Sequence, residues 1–228
     1  MKVTALIPVK RFRNAKQRLS PLLTALEREQ LAEAMFRDVL KQVDGARGLV
    51  ATYVVTGDDR VGDIASSLGA QIIREPAETG ETAAVDFARR HLKEAGHQAI
   101  LIIPGDLPLV RSKDIEQVLA LVPEAATVPF ALLVPSHDRM GTNALLLSPP
   151  EIVKLGFGYG SFSYHMKQVS AQGLPIRFIE NERIALDIDE PKDLERFLAQ
   201  EQDGLAFQLV RRLLASRGAE KRRRLGGV

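Results

Sequence analysis

Ala99-Ile100-Leu101-Ile102-Ile103 is an unbroken apolar run of strand length, and it ends abruptly in Pro104-Gly105-Asp106-Leu107-Pro108. A strand exposed on one face alternates apolar with polar residues. A run with no alternation belongs in the middle of a parallel sheet covered on both faces. The carboxyl end of such a strand is where an open α/β sheet presents its ligand site, so Asp106 falls at a functional position.

The chain on either side has the same alternation of short strands and helices. Residues 2–9 are a β-branched and apolar run followed by a polar, basic stretch over 10–20, a strand feeding a long loop. Leu26, Leu31, Ala34, Met35, Val39, Leu40 and Val43 recur at helical spacing, with Thr24 and Glu27 spaced as a capping box. A strand over 51–56, a helix over 59–68 stopped by Gly69, a strand over 70–74 and a helix over 81–95 stopped by Gly96 complete successive βαβ units. Beyond Asp106 the pattern predicts a helix over 112–121, strands over 130–134 and 144–147 flanking a polar loop, and a helix over 161–171. Extended runs over 175–179 and 184–188 follow, then a helix over 191–199 with Pro191 in its first turn and Asp189 or Glu190 at its cap. The expected architecture is a three-layer α/β/α sandwich with a mostly parallel sheet. One domain spans 1–200, and residues 201–228 stand apart as a helical, basic C-terminal tail whose default is a solvated end.

Composition narrows the function. Of 228 residues, 45% are hydrophobic and 26% charged, and no apolar run approaches the roughly 20 residues of a membrane helix, so a membrane partner is excluded. The short, proline-cut N-terminus does not read as a secretory signal, and a cytoplasmic location is expected. Cysteine is absent and the four histidines are scattered, which removes disulfides, thiolate chemistry and a zinc site; any metal should be hard and oxygen-bound. Cations crowd the last stretch, from Arg211 to Arg224, but tryptophan is absent and aromatics make up 5%, which leaves few platforms for stacking bases and disfavours nucleic acid as a partner.

Five segments have the residue types that chemistry needs. The first-strand loop with Lys10, Lys16 and Arg18 offers point charges and a forked donor to phosphate oxygens. It is not a P-loop, since the Gly-Lys-Ser/Thr ending is missing. Asp106, and Asp187 with Asp189 in Asp187-Ile188-Asp189-Glu190-Pro191, are strand-end carboxylates of the kind that hold Mg²⁺ against nucleotide phosphates, and period-two spacing puts Asp187 and Asp189 on one side. Residues 135–143 end in Gly141-Thr142-Asn143, and Gly158, Gly160 and Ser161 open a helix whose N-terminus suits an anion. Four of them have a plain structural alternative when taken singly: a solvated basic loop, an Asp at a turn, an Asp N-cap, a Gly-rich turn with a serine N-cap. His165, one turn after Ser161, is more simply structural than catalytic. Together, two acidic strand ends and a basic first loop in one α/β chain point to metal-assisted phosphoryl chemistry.

The order of these segments, from the residues 7–20 through Asp106-Leu107-Pro108, Gly141-Thr142-Asn143, the 158–165 loop and Asp187-Ile188-Asp189, resembles the 2-phospho-L-lactate guanylyltransferase family over residues 1–198. That family includes members acting on phosphoenolpyruvate or 3-phosphoglycerate in biosynthesis of the deazaflavin coenzyme F420. The resemblance implies a glycosyltransferase-A-like Rossmannoid nucleotidyltransferase fold and transfer of GMP from GTP to the phosphate of a small phosphorylated carboxylic acid. It implies Mg²⁺ on Asp106 and Asp189, and Thr142, Gly158 and Ser161 against the acid. Pro8, Lys10 and Gly80 would lie at the nucleotide, with Lys10, Lys16 and Arg18 facing its phosphates. Where the family has Leu-Asn-Ala after a glycine, this chain has Gly80-Glu81-Thr82-Ala83, so base preference is left open. A cytidylyl- or molybdopterin-type nucleotidyltransferase and a non-catalytic nucleotide sensor are the alternatives, and a homodimer is an open oligomeric state.

Overall fold

The computed structural model describes residues 2–77, 79–123 and 129–225, with side chains described as far as 217. Among these residues six strands, β1 (Val3–Pro8), β2 (Leu49–Thr56), β3 (Gln71–Arg74), β4 (Ala99–Ile102), β5 (Phe130–Pro135) and β6 (Thr142–Ser148), form one sheet in the order β3-β2-β1-β4-β6-β5. β1 pairs in parallel with β2 and β4, and β2 with β3, while β6 runs antiparallel between β4 and β5. The chain proceeds outward from β1 to β3 on one side and returns to β4 on the other. That reversal opens a crevice beyond the carboxyl ends of β1 and β4.

Period-two alternation sorts the strands between two cores. Val3, Ala5, Ile7, Ala99, Leu101 and Ile103 face one side with α1 (Ala25–Asp44), α2 (Asp59–Ser67) and α4 (Ser112–Ala120). Leu6, Ile100 and Ile102 face the other with α3 (Glu81–Glu94) and α5 (Ser161–Ala171). The three-layer sandwich and its mostly parallel sheet are as expected, and β4 is buried on both faces. The capping box at α1 is formed: Thr24 Oγ1 accepts the Glu27 N–H at 3.3 Å, and the Glu27 carboxylate accepts the Thr24 N–H at 2.7 Å.

Two expectations are corrected. The runs over 175–179 and 184–188 are not ladder strands: the first makes an isolated bridge between Leu133 and Phe178, and the second is an irregular segment leading to α6 (Pro191–Leu198). Isolated backbone bonds, such as Ile179 N–H to Leu133 O at 3.0 Å and His137 N–H to Ala185 O at 2.8 Å, together with side chains, such as Asn143 Nδ2 donating to Ile184 O at 3.0 Å, satisfy the backbone there in place of a ladder. Nor is the chain beyond Gln200 simply solvated. It enters α7 (Leu205–Leu225), whose buried Ala206, Phe207 and Val210 join Leu31, Met35 and Phe197 in a third cluster. Asp38 on α1 accepts the N–H groups of Leu205 (2.8 Å) and Ala206 (2.9 Å), so it satisfies free donors at the start of α7.

Candidate active site

The loop after β4 is drawn tightly onto the first strand. A Cβ on Gly105 would stand 3.1 Å from Val9 Cγ2 and 3.2 Å from Phe36 Cδ2, so the position favours glycine and the next residue, Asp106, is set at the mouth of the crevice. Opposite it, the basic loop folds into two short 3-10 turns, 12–14 and 17–19, anchored by buried Phe12 and Leu19. Between the turns Lys16 adopts a left-handed backbone (φ 54°, ψ 41°). Its side chain is 7% exposed, and Nζ donates to Asp106 Oδ2 at 2.5 Å and to Asp189 Oδ1 at 2.8 Å.

Asp189 reaches this point from the segment that leads into α6. The Asp193 carboxylate, in the first turn of α6, accepts the N–H groups of Asp189 (3.2 Å) and Glu190 (2.8 Å), and Ile188 N–H donates to Asp106 O at 3.4 Å. The N-cap of α6 is Glu190, which leaves the Asp189 side chain for Lys16. Asn143 Nδ2 also donates to Asp187 Oδ1 at 3.1 Å, so the asparagine of the Gly141-Thr142-Asn143 motif holds this acidic segment from the sheet side.

Four carboxylates share the neighbourhood of one buried ammonium. Burial alone would depress Lys16, but Asp106 and Asp189 outweigh it and hold its pKa above the ordinary value. Asp189 is held low, since Lys16 more than offsets its own desolvation. Asp187 is pushed up to about 6 by burial and then by the charge on Asp106. Glu81, the first residue of α3, is pushed up to about 7 by burial and the Asp106 charge, with Lys10 and Lys16 opposing.

Two cavities meet at these groups. One, of about 370 Å³, is lined by Pro8, Lys10, Lys16 and Gly80 together with Glu75 and an apolar floor that includes Val9, Phe12 and Val55. The other, of about 300 Å³, is lined by Arg18, Thr142, Gly158 and Ser161 with Asp187 and Lys192. Glu81, Pro104, Asp106 and Asp189 belong to both. The sequence-derived residues are therefore brought together, with one change of side: Arg18 lies on the second cavity with Thr142, 3.4 Å from Glu190, and not beside Lys10.

The Gly-rich loop also differs in detail. Gly160, at φ 81°, is the N-cap of α5, and Ser161 is its first helical residue, with its N–H closed onto Gly158 O at 3.0 Å. Ser161 Oγ accepts the Thr142 N–H at 2.9 Å, which joins β6 to α5. His165 is fully buried and its pKa is pushed down to about 4 by burial, then by Arg89. Glu81 and Glu75 were not assigned to the site in advance, and His165 was read as more simply structural than catalytic. An acid directly after a positive-φ glycine at a helix start was the available signal for Glu81, whereas Glu75 and His165 reach their places only through the tertiary fold.

Among the described residues no group of three or more His, Cys, Asp or Glu side chains is arranged to hold a cation. The site offers two partly exposed carboxylates, Asp106 and Asp189, converging on one point. That hard, sparse donor set suits Mg²⁺, which takes one or two protein carboxylates and fills its shell with phosphate oxygens and water. It does not suit zinc, which takes a closed set of nitrogen and sulfur donors that the described residues do not assemble here.

Crevice position, paired carboxylates and basic first loop define a nucleotidyltransferase-like site, and solved structures agree on the fold. A protein of Desulfovibrio desulfuricans G20 assigned as a nucleotide-diphospho-sugar transferase superposes with a TM-score of 0.76 at 15% identity, over 94% of this chain and 96% of the other. A cytidylyltransferase from Leptospira borgpetersenii gives a TM-score of 0.59 at 15% identity, covering 96% of each chain. Sequence relatives narrow the class further. The chain is 40% identical to a phosphoenolpyruvate guanylyltransferase of Rubrobacter xylanophilus, over 87% of this chain and 95% of the relative. It is 32% identical to a 2-phospho-L-lactate guanylyltransferase of Methanothermobacter thermautotrophicus, over 97% of both chains, and 32% identical to a 3-phospho-D-glycerate guanylyltransferase of Colwellia psychrerythraea, over 86% and 90%. The model of the family described as "Guanylyl transferase CofC like" matches residues 3–225, and the chain belongs to that family. It is a nucleotidyltransferase enzyme, and among its described residues no helix is long and apolar enough to cross a membrane.

Proposed function

We propose that this enzyme transfers GMP from GTP to the phosphate of a small phosphorylated carboxylic acid, with release of pyrophosphate, as a step in coenzyme F420 biosynthesis. The observation that carries the reading is the pair of cavities sharing one wall of carboxylates. The first has cations at its mouth and an apolar floor suited to a nucleotide; the second is small and lined by hydroxyls and a glycine-rich turn, suited to a phosphorylated acid. The acceptors named for the relatives, phosphoenolpyruvate, 2-phospho-L-lactate and 3-phosphoglycerate, differ by a few atoms and share that chemistry.

A phosphate oxygen of the acid attacks the α-phosphorus of GTP; the new P–O bond forms as the bond to pyrophosphate breaks. That oxygen is already ionised at neutral pH, so no general base is needed. His165 fits this account, since both of its ring nitrogens are engaged by protein groups. The remaining difficulty is to bring two polyanions together. Lys10 and Lys16 on the nucleotide side and Arg18 on the acceptor side offset the repulsion, and Asp106 and Asp189 would hold Mg²⁺ between the cavities. When bound, that ion supplies charge stabilisation to the α-phosphate and the leaving pyrophosphate.

Purified protein with Mg²⁺, one nucleotide and one acid at a time tests the reading through pyrophosphate release and ³¹P detection of the two coupled phosphorus atoms of the product's P–O–P diphosphate linkage. GTP with one of the three acids should be turned over. Turnover with CTP and not GTP would overturn the base assignment, and binding of GTP without turnover of any acid would overturn the acceptor class.

A further inference from the structure

His165 sits on α5 with no exposed surface, its ring edge-on to Phe157 (centroids 5.1 Å apart) and Tyr164 (5.6 Å). Its two nitrogens meet different partners: Nε2 lies 3.1 Å from Gly156 N, and Nδ1 lies 3.0 Å from Thr142 Oγ1. A peptide N–H can only donate, so Nε2 must be the bare, accepting nitrogen. A neutral imidazole has one ring proton, which is then on Nδ1 and is donated to Thr142 Oγ1. That bond takes one of the two lone pairs on Thr142 Oγ1 and turns the hydroxyl proton away from the ring, where it is available to be donated. The neighbouring Ser161 has the same polarity, because Ser161 Oγ accepts the Thr142 N–H at 2.9 Å. Neither hydroxyl proton has a protein acceptor among the described residues, and both side chains line the second cavity.

We propose that His165 is a positioning residue of the acceptor site: it fixes Thr142 as a hydrogen-bond donor, so that the cavity selects ionised, acceptor-only groups of the phosphorylated acid. The inference rests on reading the second cavity as the acceptor site. A threonine hydroxyl free to rotate serves a donor or an acceptor equally; one whose oxygen is already bonded to Nδ1–H favours a carboxylate or phosphate oxygen over an amide N–H or an alcohol proton. The histidine is held by its aromatic neighbours and the Gly156 N–H, so the ligand does not have to impose this orientation.

The two isosteric replacements separate this role from packing. His165→Asn places an amide N–H where Nδ1–H was, and His165→Gln places an amide oxygen where Nε2 was, losing the bond to Thr142. With GTP and each of phosphoenolpyruvate, 2-phospho-L-lactate and 3-phosphoglycerate tried as acceptor, Thr142→Val should raise the KM for the acid about tenfold, the order expected for losing a hydrogen bond to a charged group, with KM for GTP unchanged. His165→Gln should raise the acid KM several-fold, roughly within the loss seen for Thr142→Val, His165→Asn should restore it, and His165→Gln should add nothing in the Thr142→Val background. In the unmodified protein, ¹⁵N spectra of the imidazole should show Nδ1 protonated and Nε2 bare. An Nε2–H tautomer, equal effects of Asn and Gln, or a His165→Gln effect that persists without Thr142 would overturn the proposal. Should Thr142→Val leave the acid KM unchanged while turnover remains normal, the assignment of the cavity fails and the inference with it, a result distinct from the failure of His165 alone.

Discussion

Lys16 Nζ stands 2.5 Å from Asp106 Oδ2, a buried ammonium at the point where a carboxylate from the end of β4 meets a second one from Asp189. The residue types suggested separate partners, phosphate for the lysine and metal for the aspartates. In the structure they are partners of one another. Lys16 holds the carboxylates together from a left-handed backbone that costs a residue with a Cβ about 1 kcal/mol, so the surrounding loop must enforce it.

Lys16→Met removes that shared cation. Asp106 and Asp189 remain 32% and 47% exposed, so water offsets part of their repulsion. The expected loss is about 1–2 kcal/mol, below the roughly 3–5 kcal/mol for breaking a fully buried pair. Mg²⁺ should then raise the melting temperature of the variant more than that of the wild type, because the carboxylates have lost the cation that bonds both of them. Equal responses to Mg²⁺ in thermal melts would remove the two aspartates as a cation site.

Asp106→Asn keeps the shape of the turn and weakens a charged ligand. Folding should be intact, and turnover should fall at least about 100-fold. Far-UV circular dichroism with single-turnover assays separates the two quantities. Near wild-type activity would take Asp106 out of the chemistry.

Where local signals agree with the fold, the chain is readable in advance. The apolar run 99–103 became a strand buried on both faces, and Thr24 with Glu27 became a capping box, because each depends on neighbours in sequence. The segment 184–188 shows the limit. Buried Ile184, Leu186 and Ile188 alternate as in a strand, yet scattered partners take the place of a ladder: the Asn143 and Asn181 side chains at Ile184, and backbone groups of His137 and Asp106 at Ala185 and Ile188. Period two was present without a sheet to pair with. α7 was expected as a helix, and only its docking was not legible: Ala206, Phe207 and Val210 are buried because Leu31, Met35 and Phe197, all but the last remote in sequence, stand opposite them. The tautomer of His165 depends on Gly156 and Thr142 and has no signature in the sequence at all.

Arg18 moved sides, and that change is measurable. It lines the cavity of Thr142 and Ser161, with a side chain 71% exposed near Glu190. Arg18→Ala should raise the KM for the acid about threefold and leave that for GTP unchanged, a modest effect because the charge is solvated. Varying each substrate at saturation of the other decides the matter, and a rise confined to GTP would return Arg18 to the nucleotide phosphates.

His165 also gives a pH signature in stability. Its folded pKa, about 4, lies below the ordinary 6.5 because burial, and then Arg89, disfavours the imidazolium. The unfolded chain therefore binds a proton more readily between these values. The stabilising contribution is complete above pH 6.5 and is lost as pH falls toward 4, amounting to about 2 kcal/mol by pH 5. Urea unfolding at pH 7 and pH 5 should show wild type losing that much more than His165→Asn, and parallel losses in the two proteins would show that the imidazole does not titrate with folding.

The C-terminal helix can be divided by two changes that act on different parts of it. Phe207 is 5% exposed and stacks edge-on against Phe197, with centroids 5.7 Å apart, so Phe207→Ala should cost about 3 kcal/mol through the space it leaves. Ending the chain after Ser216 is milder. It removes Arg217, which donates to Leu22 O and pairs with the capping-box residue Glu27, together with the basic residues that follow. That loss is about 1 kcal/mol, since Arg217 is 38% exposed and the box itself remains. Neither change touches the two cavities, so kcat/KM should match the full chain wherever the protein is folded. The competing idea is that the terminal cations gather anionic substrates by long-range attraction, which predicts a fall in kcat/KM at low ionic strength that fades as salt screens it. Assays of the truncated protein in low and high salt, with melting temperatures measured alongside, distinguish the two: a lower melting temperature with unchanged kcat/KM supports a structural strap, and a loss of kcat/KM confined to low salt supports steering.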